Sequence, residues 1–174
     1  MSTGPSTAEL VASLIERGLS LATAESLTGG AVATELVGVP GVSATFQGGV
    51  VAYQNSVKAS VLGVSEELLE RVGSVDGEVA VQMALGVCRI TGANVGLATT
   101  GAAGPEAHDG KAVGTVFLAV ALNGVAQYRE YHFDGDREAI RAQARHSALS
   151  LLADVVNSSQ QTFGKQPGTK QFDR

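Results

Sequence analysis

Cysteine and aromatic residues are scarce in this sequence. Cys88 is the single cysteine among 174 residues, tryptophan is absent, and aromatic residues make up 5% of the chain. One cysteine excludes both an internal disulfide and a metal site built from several thiolates. We therefore expect a reducing, cytoplasmic setting.

Long apolar runs are also missing. A membrane-spanning helix takes about 18 or more consecutive apolar residues, and the sequence contains no such run. The first seven residues have neither the basic region nor the apolar region of a secretory signal. The sequence therefore predicts neither a membrane span nor export.

Basic residues are fewer than acidic residues. The chain has 12 lysine and arginine residues against 17 acidic ones, which gives a net charge of −5. Such a surface repels a phosphate backbone, so we expect no nucleic-acid partner. The sequence also lacks Gly-x-Gly-x-x-Gly after a strand and Gly-Lys-Ser/Thr, and its histidines are too scattered for a zinc motif. These histidines are His108, His132 and His146.

The composition is that of a globular core, with 44% hydrophobic and 17% charged residues. Helical periodicity occurs at 7–17, after Gly30, from Asn55 to Gly63, from Asp76, and after 134–136. Ser6 and Glu9 have the spacing of a capping box before the first helix, and Asn55 is the predicted cap of the third. Strand patterns occur at 20–24, 46–52, 94–100, 112–122 and 125–133, the last two joined by the hairpin signal Asn123-Gly124.

This alternation predicts an α/β fold, a three-layer α/β/α sandwich around a mixed, mostly parallel sheet whose antiparallel part is the hairpin. The length fits a single domain, which we place at residues 1–156. Residues 157–174 lose the apolar periodicity, and we expect a polar, flexible tail there.

Ligands of open α/β sheets bind where strands end and helices begin. At the first such junction, Ser26 precedes a helix and lies beside Gly29 and Gly30. Ser26 is a candidate nucleophile with backbone N–H groups nearby for an oxyanion. Alternatively, Ser26 or Thr28 only caps the helix.

Two further junctions carry candidate residues. Lys58 lies one helical turn after Asn55, where it is either a desolvated base or an ordinary solvated lysine, and Tyr53 is either functional or part of the core. The segment from Thr100 through Gly101 and Gly104 to Pro105 either cradles a phosphate or carboxylate or forms a sharp turn.

Arg137 and Arg141 are four residues apart at the start of the last predicted helix. Their guanidinium groups either clamp a phosphate or form ion pairs with Glu138 or Asp134.

Five blocks of the sequence together resemble the CinA C-terminal domain family over about residues 7–156. They are Ala24-Glu25-Ser26-x-Thr28-Gly29-Gly30, Gly49-Val50-Val51-Ala52-Tyr53-x-Asn55-x-x-Lys58, Thr100-Gly101-x-Ala103-Gly104-Pro105, Lys111-x-Val113-Gly114-Thr115-Val116 and Gly135-Asp136-Arg137-x-x-x-Arg141. Family members are nicotinamide-nucleotide amidases, which convert nicotinamide mononucleotide to nicotinic acid mononucleotide and ammonia in pyridine nucleotide recycling.

The resemblance implies a serine amidohydrolase without metal or cofactor, in which Ser26, Tyr53 and Lys58 are catalytic. Lys58 or Tyr53 would take the proton of Ser26, and N–H groups of Thr28, Gly29 and Gly30 would hold the oxyanion. The other expected substrate-binding residues are Asn55, Thr100, Gly101, Gly104, Arg137 and Arg141. The family also forms dimers, so we expect a homo-oligomer of a nucleotide-binding enzyme.

The chain departs from the family pattern at two places. Leu27 stands where the family commonly has cysteine, which we interpret as a packing difference. Residues 106–109, Glu-Ala-His-Asp, replace a glycine-rich run in the loop expected to touch the substrate. Two alternatives therefore stay open: an amidase for another small amide, and a non-catalytic nucleotide- or partner-binding module linked to competence and DNA damage.

Some family members carry an N-terminal molybdopterin-binding-like domain associated with ADP-ribose pyrophosphatase activity. Little sequence precedes the first predicted helix, so we expect that activity to be absent.

Overall fold

The computed structural model describes residues 4–163, which form five strands and six α-helices. The strands are β1 (Leu21–Glu25), β2 (Phe46–Val51), β3 (Val95–Gly101), β4 (Thr115–Leu122) and β5 (Val125–His132). The helices are α1 (Thr7–Glu16), α2 (Ala31–Val37), α3 (Asn55–Ser60), α4 (Glu66–Val72), α5 (Gly77–Thr91) and α6 (Arg137–Phe163), and a 3₁₀ turn lies at Val42–Ala44.

The sheet is mixed, as predicted. Its strand order is β2-β1-β3-β4-β5, in which β1 pairs parallel with both β2 and β3, whereas β4 pairs antiparallel with β3 and β5. The hairpin between β4 and β5 turns at Asn123 and Gly124, whose φ angles of 50° and 83° are both positive, as a type I′ turn requires. Because β4 alone runs against the other strands, β1, β2, β3 and β5 all end at the same edge.

Two apolar cores make the three layers. Helices α1, α2 and α6 bury leucine, valine and isoleucine side chains against one face of the sheet. Helices α4 and α5 and the residues between α3 and α4 cover the other face, where the sheet presents mainly alanines, so that α5 approaches it closely. The three-layer α/β/α prediction is confirmed.

Local signals explain most helix starts. Ser6 and Glu9 form the capping box expected before α1, and Asp136 Oδ1 accepts the N–H of Ala139 at the start of α6. The prediction that Asn55 caps α3 was wrong. Gln54 holds the N-cap position without a side-chain hydrogen bond, and Asn55 is the first helical residue.

The structure differs from the sequence-based prediction at two further places, α4 and the end of α6. Helix α4 was not predicted, although Ser65 caps it by accepting the N–H of Leu68 and two glutamates occupy its first turn. Helix α6 continues to Phe163, so the first seven residues of the predicted tail are helical. Extending a formed helix adds one hydrogen bond per residue and needs no apolar face. The rest of the predicted tail lies outside the described residues.

Candidate active site

The candidate site lies at the edge of the sheet where β1, β2 and β3 end. The chain crosses from β1 to β2 on one side of β1 and then returns to β3 on the other side, and such a switch point leaves a crevice outside the strand ends. A cavity of about 310 Å³ occupies this place. Of the residues predicted for the site, those that line the cavity are Ser26, Tyr53, Asn55, Gly101, Gly104 and Arg137.

Ser26 lines the floor of this cavity and is in direct contact with Lys58, which is buried behind the lining. Ser26 follows the last residue of β1, and Lys58 Nζ lies 3.0 Å from Ser26 Oγ. Lys58 has 0% of its surface exposed, and Ser26 has 8%. The alternative of a solvated lysine is therefore excluded. Ser26 also does not cap α2, because Gly30 occupies the N-cap position.

The amine of Lys58 is placed to act as a base. Besides Ser26 Oγ, it contacts the main-chain oxygens of Ala52 at 2.8 Å and Tyr53 at 3.0 Å. A neutral amine has two N–H donors and one lone pair. Donation to the two carbonyls therefore leaves the lone pair for the Ser26 hydroxyl proton.

Burial makes the neutral amine accessible near physiological pH. Loss of hydration lowers the pKa of Lys58 from 10.5 to about 8, and the negative charge of Asp109 opposes this shift. No arginine is needed to explain this lowering of the pKa, because burial is its main cause.

The turn that presents Ser26 is fixed by a buried carboxylate. Glu25 is 1% exposed, and its two oxygens accept the N–H groups of Gly30, Val32 and Ala33 at 2.8–3.1 Å. These are the free donors at the start of α2, so Glu25 takes the place of a side-chain cap. The tie holds β1 and α2 together around Ser26.

This arrangement corrects the predicted oxyanion hole. The N–H of Gly29 donates to Ser26 O at 3.1 Å, and that of Gly30 donates to Glu25, so neither is available to a ligand. Within residues 4–163, the N–H groups of Leu27 and Thr28 have no acceptor. Of these two residues, Leu27 borders the cavity.

Arg137 and Tyr53 stand together at the mouth of the cavity. Arg137 Nη2 donates to Tyr53 Oη at 3.0 Å, and Nη1 donates to Gly104 O at 2.6 Å. Tyr53 is 55% exposed, so its ring is not part of the core. Its hydroxyl contacts Arg137 and not Ser26, so it is Lys58 that touches the Ser26 hydroxyl.

Two other predicted residues, Arg141 and Thr100, serve the scaffold instead of the cavity. Arg141 donates to the main-chain oxygens of Leu27 and Thr28, because α6 packs beside the turn after Ser26. It does not converge with Arg137, and with Thr28, Gly29 and Gly30 it borders a separate surface depression. The buried hydroxyl of Thr100 donates to Ser74 O at 2.6 Å and is thereby turned away from a ligand.

The β3–β4 loop forms one wall of the cavity through Glu106, His108 and Asp109. Asp109 Oδ2 accepts both the N–H of Ser74 at 2.6 Å and its hydroxyl at 2.8 Å. The loop that departs from the family pattern therefore does face the place where a substrate would bind.

Sequence reasoning missed the residues that position the site. Thr99 accepts the N–H of Ser26 on its main-chain oxygen at 2.9 Å, and its hydroxyl lies 2.7 Å from that of Thr28. Glu25 has a local signal, since it comes directly before Ser26 and four residues before the first of the two glycines, Gly29 and Gly30. The pair of Ser74 and Asp109 joins two loops 35 residues apart and has no such signal.

The described part of the chain contains neither a metal-binding cluster nor a membrane-spanning helix. Among residues 4–163, no three His, Cys, Asp or Glu side chains gather in a group that could hold a metal ion. No helix within this range combines the length and apolarity needed to cross a bilayer.

Comparisons with known proteins agree with this architecture. The family model described as "CinA C-terminal domain" matches residues 4–156. The chain belongs to the CinA family. The CinA-like protein of Frankia casuarinae is 46% identical over 155 residues, which cover 87% of this chain and 36% of the relative. The chain spans about a third of the length of such curated relatives, and in the CinA-like protein of Geotalea uraniireducens the match covers 34%.

Solved structures of the CinA family share the fold nearly end to end. The CinA superfamily protein of Klebsiella pneumoniae superposes with a TM-score of 0.83 at 34% identity, covering 88% of this chain and 99% of that one. The competence/damage inducible protein of Agrobacterium tumefaciens gives a TM-score of 0.78 at 38% identity, covering 90% and 99%.

Proposed function

We propose that this CinA-family chain is a serine amidohydrolase that converts nicotinamide mononucleotide to nicotinic acid mononucleotide and ammonia. The observation that carries the proposal is the 3.0 Å contact between Ser26 Oγ and the fully buried Lys58 Nζ at the floor of a cavity. A buried lysine with a depressed pKa beside a hydroxyl is the arrangement of an activated nucleophile.

The reaction begins with proton transfer from Ser26 to Lys58. Ser26 Oγ then bonds to the carboxamide carbon, and the N–H of Leu27 stabilises the oxyanion. The Lys58 ammonium returns its proton to the departing nitrogen, the C–N bond breaks, and ammonia leaves. A water molecule gives a proton to Lys58, attacks the acyl-enzyme and releases the carboxylate, after which Ser26 regains its proton.

Arg137 supplies the recognition of the phosphate in this proposal. Its two contacts engage one N–H of each Nη, so three of its five donors remain for an anion at the cavity mouth. Arg137→Met should raise KM for nicotinamide mononucleotide about tenfold to a hundredfold, because a charge-assisted bidentate contact is lost. The same change should have little effect on nicotinamide riboside, which lacks the phosphate.

Ammonia release from nicotinamide mononucleotide by the purified chain tests the proposal directly. We expect turnover by the wild type and none above background for Ser26→Ala, with an unchanged melting temperature for the variant. Undiminished turnover by Ser26→Ala would remove Ser26 from the mechanism. Binding of the nucleotide by the wild type without hydrolysis would favour a non-catalytic binding module.

The loop at 106–109 favours one second candidate, an amidase for another small amide. Glu106, His108 and Asp109 line the cavity where the family commonly has a glycine-rich run. Parallel assays with nicotinamide, asparagine and glutamine separate the two candidates, since an amidase of the second kind would turn over one of them faster than the nucleotide.

A further inference from the structure

Asp109 holds a fixed position in the wall of the cavity. Oδ2 accepts two hydrogen bonds from Ser74, and it also lies 3.4 Å from His108 Nε2. All three contacts fall on the same oxygen, and no contact within residues 4–163 engages Oδ1. Gly73 is required for this approach, because a Cβ at that position would lie 2.5 Å from Asp109.

Asp109 is also ionised when the site is active. Burial alone would raise the pKa of its carboxyl group, but the hydrogen bonds from Ser74, together with electrostatic attraction to His108 and Lys58, outweigh this effect, so the pKa is lowered. Asp109 lines the same cavity as Ser26, and its carboxylate in turn raises the pKa of Lys58, which contacts Ser26. The cavity thus has a negative charge near its reactive floor and a positive one, Arg137, at its mouth.

The proposed substrate has the complementary charge pattern. In nicotinamide mononucleotide the carboxamide carbon is bonded directly to a pyridinium ring, so Ser26 can reach this carbon only when the ring lies inside the cavity. The ring is cationic, and the phosphate at the other end of the molecule is anionic. Because Asp109 and Ser26 line the same cavity, a ring held for attack by Ser26 shares that cavity with Asp109.

We propose that Asp109 recognises the positive charge of the substrate ring and makes the site selective for carboxamides on cationic rings over those on neutral rings. This inference rests on the proposed function, since it assigns a specificity role within the same cavity. Asp109 belongs to residues 106–109, the segment in which this chain departs from the family pattern. The fixed carboxylate also disfavours a second negative charge at the floor, where the product carboxylate forms.

Oxidised and reduced nicotinamide mononucleotide provide a matched pair of ligands. They carry the same carboxamide, ribose and phosphate, but the dihydropyridine ring of the reduced form is neutral. Their dissociation constants are measured by calorimetry with Ser26→Ala, which cannot turn over the oxidised form during titration. The same pair is then titrated into Ser26→Ala/Asp109→Asn, in which the side-chain amide oxygen at position 109 can still accept both hydrogen bonds from Ser74.

We expect Ser26→Ala to bind the oxidised nucleotide more tightly than the reduced one. Adding Asp109→Asn should reduce the ratio of these two affinities about tenfold. A fixed charge within several ångströms of a partly desolvated cation accounts for a factor of about that size. The loss should fall on the oxidised form and leave the reduced form unchanged. Ser74→Ala, which loosens the loop and keeps the charge, should weaken both forms equally.

Glu106→Gln is the control that removes a negative charge from the same wall. Glu106 lines the cavity as Asp109 does, but no described residue holds its carboxylate in place. We expect a smaller effect on the ratio than for Asp109→Asn. An equal effect, or an unchanged ratio in Asp109→Asn, would overturn the inference.

Ammonia release by the wild type separates this result from the proposed function. Charge-selective binding lost in Asp109→Asn supports the inference even if no ammonia forms. If the wild type releases ammonia but Asp109→Asn leaves the ratio of the two affinities unaltered, the proposed function stands and the role of Asp109 is refuted. If neither nucleotide binds, the inference and the proposed function both fail.

Discussion

Replacing Lys58 with methionine tests the proposed mechanism most directly. Methionine has a similar length and fills the same buried space, but it has no lone pair to accept the Ser26 proton. General-base catalysis contributes about 10²–10⁴-fold to rate, and we expect kcat to fall by at least this factor. Lys111→Met is the matched control, because Lys111 is the other lysine of the described chain and lies outside the cavity lining.

The pH dependence of the wild type follows from the pKa of Lys58. With a pKa of about 8, about a tenth of the Lys58 side chains are neutral at pH 7, against about one in three thousand at the ordinary value of 10.5. The rate should therefore rise about tenfold from pH 7 to a plateau above pH 9, with its midpoint near pH 8. An ammonia-release assay between pH 6 and pH 10 measures this directly.

Two results would refute this reasoning. One is a Lys58→Met variant that keeps its activity with the same pH profile, since Lys58 would then be structural only. The other is a wild-type rate that falls between pH 7 and pH 9, which would require a protonated Lys58. A loss of structure in the variant is recognised from its melting temperature.

The same residue makes the stability of the fold depend on pH. Between about pH 8 and pH 10.5, Lys58 is protonated in the unfolded chain and neutral in the folded one, so the unfolded state binds more protons. The free energy of unfolding should therefore gain about 3 kcal/mol from Lys58 as the pH rises across this interval, at about 1.4 kcal/mol per pKa unit. Denaturant titrations at the two ends should show a change in the wild type that is more favourable by this amount than the change in Lys58→Met, which keeps every other titrating group.

Three further predictions concern the residues that position the site. Glu25→Gln should lower the free energy of unfolding by about 1–3 kcal/mol, because an amide has one acceptor oxygen for three N–H groups; a thermal melt measures the loss. Gly73→Ala should raise KM with a smaller effect on kcat, since its Cβ displaces Asp109 from Ser74 at a backbone φ of +78°; an unchanged KM would contradict this placement. Thr99→Val removes the hydroxyl contact with Thr28 and should cost about 1 kcal/mol of stability together with part of kcat, whereas Thr91→Val on α5 should leave kcat unchanged.

Much of the fold was predictable from local signals. Hydrophobic periodicity located the five strands, and Asn123-Gly124 identified the antiparallel hairpin. Helix α4 was missed because its two buried leucines, Leu68 and Leu69, are too few to establish a helical period. The extension of α6 to Phe163 was missed for the related reason that backbone hydrogen bonds can continue a helix without an apolar face.

The site was predictable to the extent that its residues follow strand ends. Ser26 and Lys58 were singled out in this way, but spacing alone could not tell a buried lysine from a solvated one. The roles of Arg137 and Arg141 were interchangeable in the sequence, being one helical turn apart. They separate in the structure because one side chain faces the cavity mouth and the other faces the turn after Ser26.

The contact between Ser26 and Lys58 depends on the register of two parallel strands. Glu25 on β1 is paired with Val51 on β2, and the N–H of Ala52 donates to Glu25 O at 2.8 Å. This register sets Ser26 beside the carbonyls of Ala52 and Tyr53, to which the Lys58 amine is bound. Helix α3 begins three residues later, at Asn55, so its first turn is near enough to bring Lys58 back to the strand end.

A shift of β2 by one residue would point Ala52 to the opposite face of the sheet and separate the amine from Ser26. The interior position also carries an energetic cost, since burial makes protonated Lys58 unfavourable by about 3 kcal/mol at neutral pH. An apolar side chain of similar volume would avoid this cost in a purely structural role. A lysine there, with its amine 3.0 Å from a serine hydroxyl, is accounted for by the proposed proton transfer and not by packing.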